Sequence, residues 1–369
     1  MKNSEVKGIY IHVPFCTHIC SYCDFCKVLY NEDLANGYLD TTLAQIKEIN
    51  QKVGSIYLGG GSPSSLNKEQ LEKLLSSLKP LLEDTGQFCV ELNPEDLNDE
   101  KIDLLVKYGV NRVSFGVQTL KPGLLKLLNR HHDAKMVEEV IKKLKEKGIT
   151  NINLDLMYGL PTQTNEDLLS DLEKFISYDV PHISTYALLV EDHTFFKVRN
   201  IVALDDDKQA EQFDLICLAP KKAGFNHYEI SNFAKKGYES VQNLIYWKDE
   251  CYIGIGPSSS GYENGVRYDT SKSITSYIGN IINKERYIIS KEEEEYEYIM
   301  LHLRLKEGID FKKYKNRFGY DFLIRFKDQI DSLNKKGLID VDTSSLSIKE
   351  EKFFISNLII NELLENIEY

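Results

Sequence analysis

No run of the 369 residues is apolar enough to cross a bilayer or to form the core of a secretory signal, and the N-terminus reads Met1-Lys2-Asn3-Ser4-Glu5; a membrane-spanning helix needs about 20 consecutive apolar residues. The expectation is a cytoplasmic protein whose membrane contact is at most transient. Basic charge is also scarce, with 45 Lys and Arg against 57 Asp and Glu, a formal net charge of −12. A sequence-independent grip on a phosphate backbone needs the opposite balance, so no nucleic-acid partner is expected. The cysteines do not form an even set: there are seven. Four crowd into positions 16–26, while Cys89, Cys217 and Cys251 are scattered. In a reducing compartment, crowded thiols point to a metal centre rather than to disulfides. A hydrophobic share of 42% and a charged share of 28% suit a packed globular chain, long enough for one large domain and one small one.

Strand candidates at 9–13, 55–58, 88–92, 112–115, 151–156 and 182–187 alternate with helical stretches at 32–51, 68–82, 99–108, 121–128 with 134–147, and 166–178. A further helix is expected at 206–218. Val137, Val140, Ile141 and Leu144 make one apolar stripe closed by Gly148, and Asn67 followed by Gln70 has the form of a capping box. Repeated β–α units imply parallel strands, because each crossover needs a helix. The predicted fold is α/β, a parallel partial (β/α)6 barrel with its chemistry at the C-terminal ends of the strands. Residues 224–230 read as one more strand, and 231–284 are rich in turn signals. Beyond 291 the pattern gives helices at 292–305, 310–316 and 321–335, short strands at 338–341 and 345–348, and a last helix at 350–364. This is a small winged-helix-like module. Its third helix mixes Asp321, Asp328 and Asp331 with Arg325, Lys327 and Lys335, so a structural cap is preferred to a nucleic-acid reader. The expected division is a core over 1–230, a connecting segment over 231–290 and the C-terminal module over 291–369.

Directly after the first strand the chain reads His12-Val13-Pro14-Phe15-Cys16, with Cys20, Cys23 and Cys26 following. The core is Cys-x3-Cys-x2-Cys, which puts Cys16, Cys20 and Cys23 on one loop at the barrel mouth. This spacing resembles the radical S-adenosylmethionine (SAM) proteins. There, three cysteines hold a [4Fe–4S] cluster, SAM occupies the open iron, and an electron donor feeds the cluster. Tetrahedral zinc on four cysteines is the rival, although zinc pairs usually come as two separated knuckles. Cys26 reads either as a small free thiol beside the site or as a spare ligand.

Other polar groups end the following strands. Gly59-Gly60-Gly61-Ser62-Pro63-Ser64 follows the second, Glu91 and Asn93-Pro94 the third, Gln118 the fourth, and Asp155 lies in the fifth. Glycines there admit a ligand close to the backbone. Carboxylates and amides can grip ribose hydroxyls, and Arg130 can pair a carboxylate bidentately. Taken singly, each could equally be a cap or turn residue. Taken with Asn-Pro-Glu-Asp, Gly-Val-Gln-Thr, Asp-Leu-Met-Tyr-Gly-Leu-Pro and the stretch Tyr228–Ala234, they resemble the coproporphyrinogen dehydrogenase/HemW family over nearly the whole chain. The resemblance implies that Tyr10 packs against SAM and that Gly60 and Gly61 take its amino group, with Ser62 in the same site. Arg130 and Glu91 would meet the methionine end, and Gln118 and Asp155 the ribose.

Two functions occur in that family: oxygen-independent conversion of coproporphyrinogen III to protoporphyrinogen IX, and heme chaperoning. Three features favour the second. Phe25 stands where the dehydrogenase has a fourth cysteine, with Cys26 one position late. The first strand begins near Gly8, whereas the dehydrogenase has a sizeable extension before its cysteine loop. Gln242-Asn243-Leu-Ile-Tyr246-Trp247 is similar to the His-Asn-x-x-Tyr-Trp motif associated with heme. Gln242 replaces the expected axial histidine, and an amide is a poor iron ligand. His227 and Cys251 lie nearby as substitutes, or as ordinary packed residues. The expected function is therefore to bind heme as cargo and pass it to an acceptor protein, with a [4Fe–4S] cluster and SAM; the dehydrogenase is the alternative.

Overall fold

The structure is a computed structural model that describes residues 5–365. Six strands, β1 (Gly8–Val13), β2 (Val53–Gly60), β3 (Leu82–Leu92), β4 (Arg112–Gln118), β5 (Asn151–Tyr158) and β6 (His182–Ala187), pair parallel in chain order. Helices Glu32–Lys47, Lys68–Leu78, Asp99–Lys107, Pro122–Leu128 with Ala134–Glu146, and Asn165–Ser177 make the crossovers. Period-2 alternation explains the two faces of the strands. Ile9, Ile11 and Val13, Ile56 and Leu58, Phe88 and Val90, and Leu154 and Leu156 are buried in the hydrophobic core. Tyr10, Glu91, Ser114, Asp155 and Tyr186 turn the other way and line one cavity, so the sheet curves around it as a partial barrel.

Local signals act as the sequence predicts. The Asn67 side chain accepts from Gln70 N at 2.9 Å while Gln70 Oε1 accepts from Asn67 N at 3.2 Å, a complete capping box. That helix ends at Leu78, short of the expected 82. Pro80 has no N–H to donate back to Ser76 O, so the helical ladder stops there and a 3₁₀ turn, Lys79–Leu81, follows.

The sheet is larger than six strands. Tyr252–Ile255 pairs parallel with the free side of β1, and Ser260–Glu263, Val266–Thr270 and Lys284–Ile288 then add antiparallel. The turn-rich segment thus extends the main sheet. At the opposite end, Asn226–Glu229 does form a strand, but as the antiparallel edge of a hairpin with Asn232–Ala234, which pairs with β6. Two linking residues cannot make the crossover that a further parallel strand would need. The result is a 12-stranded sheet.

Beyond it, helices Lys291–His302, Phe311–Phe318, Phe322–Arg325 and Lys327–Lys335 pack with a three-stranded sheet of Ile309–Asp310, Ser345–Ile348 and Ile339–Val341. The helix expected over 321–335 breaks at Phe326, and the expected last helix begins as a 3₁₀ turn before Ser356–Leu364. Asp249 joins the module to the sheet: its two oxygens accept from Arg267 at 2.8 Å and Arg317 at 2.6 Å. Among the described residues, no helix is long and apolar enough to cross a membrane.

Candidate functional site

The cysteine loop leaves β1 and is closed by its own backbone. Val28 N donates to Pro14 O and Tyr30 N to Cys16 O, both at 2.8 Å, and Cys23 N donates to Cys20 O at 3.3 Å. The glycine turn after β2 is bonded to the same loop: Gly61 N donates to Val13 O at 2.8 Å and Ser62 N to Phe15 O at 2.7 Å. A Cβ at Gly61 would lie 2.6 Å from Phe15 O and 3.0 Å from Cys16 Sγ, so only glycine fits this approach.

One cavity of about 380 Å³ at the C-terminal mouth is lined by Cys16, Cys20 and Cys23 and by all eight residues expected to hold a cofactor: Tyr10, Gly60, Gly61, Ser62, Glu91, Gln118, Arg130 and Asp155. Cys26 is turned away. Its Sγ donates to Lys272 O at 3.3 Å and borders a neighbouring cavity with Tyr246 and Tyr252. The loop therefore does not gather four thiols, as a zinc site on this motif would need. Among the described residues, no three His, Cys, Asp or Glu side chains form a single-ion site.

The three thiols differ electrostatically. Burial pushes Cys16 up to about 12 and also raises Cys23. Burial pushes Cys20 the same way, but a hydrogen bond from His18 and the charge of Arg130 outweigh it and leave that thiol lowered. Arg130 lies 3.5 Å from Cys20 Sγ and donates to Asn93 Oδ1 at 3.0 Å and to Gly116 O. His18 in turn meets Glu95 at 3.1 Å. Ligation to iron must drive the remaining protons off.

Deeper in the cavity, Glu91 accepts from Tyr57 Oη at 2.6 Å and Gly60 N at 3.1 Å, yet burial raises it to about 7. Asp155 accepts from Asn153 Nδ2 at 2.7 Å and is raised to about 6, again chiefly by burial. Gln118 adopts φ 68° and is buried, and its Oε1 has no partner, nor has Arg130 Nε. A strained, buried residue with an orphaned polar atom is poised for a ligand. Thus the chain offers three thiols, the deep carboxylates of Glu91 and Asp155, an amide with an unpaired oxygen and a guanidinium around one space. That donor set fits a three-cysteine cluster beside a zwitterionic nucleoside. Tyr57, His18 and Glu95 are not marked by the sequence: His18 lies in the spacer of Cys-x3-Cys and Glu95 in Asn-Pro-Glu-Asp, but nothing in their spacing says they meet.

The positions considered for heme lie elsewhere. Gln242, at the start of helix Val241–Trp247, is 1% exposed, and a Cβ on Gly8 would lie 2.7 Å from its Oε1. A heme cannot reach that amide without displacing β1. His227 is buried, stacked on Phe233 at 4.1 Å and 3.7 Å from Glu350. Cys251 is buried at the edge of a groove shared with Glu5, Asp249, Glu250 and Glu294.

The family model of the Radical SAM superfamily matches residues 10–175, and that of the HemN C-terminal domain matches residues 289–354. The chain is 38% identical to the heme chaperone HemW of Lactococcus lactis over 98% of each chain. It is 35% identical to that of Bacillus subtilis over 97% of this chain and 99% of the relative. Among solved structures, coproporphyrinogen III oxidase (HemN) from Escherichia coli, a radical SAM enzyme, superposes with a TM-score of 0.85 over 98% of this chain and 90% of that one, at 19% identity. That last likeness is one of fold.

Proposed function

Since the chain belongs to the HemW heme-chaperone family of radical SAM proteins, we propose that it binds heme as cargo and passes it to an acceptor protein. The observation that carries this reading is the near full-length likeness to heme chaperones in a chain whose Cys26 turns out of the cysteine cavity. In this reading Cys16, Cys20 and Cys23 hold a [4Fe–4S] cluster, and SAM lies beside it. The bound cluster supplies one-electron chemistry. Arg130 steadies Cys20 and meets the SAM carboxylate. Glu91 receives the ammonium next to the Gly60–Gly61–Ser62 turn. Gln118 and Asp155 take the ribose hydroxyls, and Tyr10 packs on the nucleoside.

Protein purified without oxygen tests both halves. It should be brown, with iron and sulfide in equal amounts, and should bind hemin with a defined visible spectrum. It should release that hemin to an apo-hemoprotein faster than free hemin is taken up. Iron-free protein would remove the cluster, and hemin binding no tighter than that of serum albumin would remove the chaperone. A vinyl product from coproporphyrinogen, SAM and a reductant would support the dehydrogenase instead. Gln242→Ala should leave the hemin spectrum unchanged, because the amide is buried against the start of β1.

A further inference from the structure

The cysteine loop has an outer face as well as an inner one. Cys20 lines the cluster cavity. Its neighbours Ile19 and Ser21 border a separate open groove of about 500 Å³. Helix Pro122–Leu128 and the turn Phe195–Val198 wall this groove, and both are tied to its floor. Ser21 N donates to Leu128 O at 3.0 Å, and Phe196 N donates to Ser21 O at 3.1 Å.

The walls carry Lys126 and Arg199, and no carboxylate lines the groove. Neither cation has an ion-pair partner among the described residues; Arg199 rests over the Phe195 ring at 5.8 Å. In a chain of net charge −12 this is a local inversion of sign. Phe195 and Val198, 54% and 75% exposed, set apolar surface beside the cations.

We propose that this groove docks the electron donor of the cluster, a small acidic one-electron carrier protein. The proposal rests on the cluster reading above. Redox encounters use small interfaces, and complementary charge sets their rate more than their affinity. Here an apolar contact is flanked by unpaired cations, which is the complement of an acidic carrier. The carrier loses one electron and the cluster gains one; no bond forms or breaks. The entry point is backbone adjacent in sequence to Cys20, so the electron need not cross the substrate cavity, and the mouth stays free for SAM and cargo.

The test uses holoprotein under anaerobic conditions, with photoreduced flavodoxin as the acidic probe and dithionite as a small reductant that needs no docking. The readout is stopped-flow bleaching of the cluster absorbance. Charge reversal in Lys126→Glu/Arg199→Glu should slow reduction by flavodoxin about tenfold or more at low salt, weaken its salt dependence, and leave the dithionite rate unchanged. Lys126→Arg/Arg199→Lys should keep the wild-type flavodoxin rate. An unchanged flavodoxin rate in the reversed variant would overturn the proposal. So would a rate that stays equal while hemin binding weakens, which would assign the groove to heme propionates. Loss of bleaching with dithionite as well as flavodoxin, in wild type too, would overturn the cluster reading and this proposal with it.

Discussion

Gly61 is where the glycine turn and the cysteine loop come closest. A methyl group there meets the Phe15 carbonyl at 2.6 Å and the Cys16 sulfur at 3.0 Å, and neither is a flexible end. Gly61→Ala should therefore push Cys16 out of position and lower the iron and sulfide content of protein reconstituted without oxygen, while far-UV circular dichroism stays near wild type. Glu91 gives a second prediction. Burial raises its carboxyl to about 7, so it is mostly protonated at pH 6 and mostly ionised at pH 8. If it receives the SAM ammonium, affinity should rise with pH through about 7, since only the ionised form offers a full charge. Glu91→Gln should flatten that rise in anaerobic equilibrium dialysis; a wild-type affinity independent of pH would count against the role.

Among the elements, the added strand Tyr252–Ile255 is the least tolerant. A Cβ at Gly254 would lie 1.9 Å from Ser260 O on the antiparallel neighbour. Gly254→Ala should part Tyr252–Ile255 from Ser260–Glu263 and lower the thermal midpoint by several degrees, as expected when a backbone clash has no flexible partner to yield. The same glycine explains why this strand was not legible in the sequence. It is four residues long, contains Gly254, and pairs with a strand some 240 positions earlier, so no local period marks it. The six core strands were legible because short β-rich runs recur between helices that carry their own stripe or cap. Cys16, Cys20 and Cys23 were legible because covalent spacing alone keeps them on one loop. The Tyr57–Glu91 hydrogen bond was not, because sheet register, set by packing of whole strands, brings those side chains together. Cys26 shows the same limit: three residues past Cys23, it faces a different cavity because the loop turns back to pair Phe15–Cys16 with Val28–Leu29.

At the scale of the molecule, Asp249 ties the large sheet to the C-terminal helices. Its carboxylate is enclosed between Arg267 and Arg317, which are about three-quarters covered themselves. Asp249→Asn removes the counter-charge that the two guanidiniums share, leaving Arg267 only Glu297 and Arg317 only Glu294. Losing the charge-assisted hydrogen bonds to a buried carboxylate costs about 1.5–3 kcal/mol. The expected result is a C-terminal module cut by protease earlier than the sheet, with cluster content preserved; simultaneous loss of both would mean the two parts unfold as one. The strand order carries a further consequence for how the chain is made. β1 is held on one side by β2 but on the other by Tyr252–Ile255, so the strand that launches the cysteine loop keeps an open flank until about two-thirds of the polypeptide has left the ribosome. Iron loading should accordingly follow synthesis of that late strand, and nascent chains halted before it should emerge without metal.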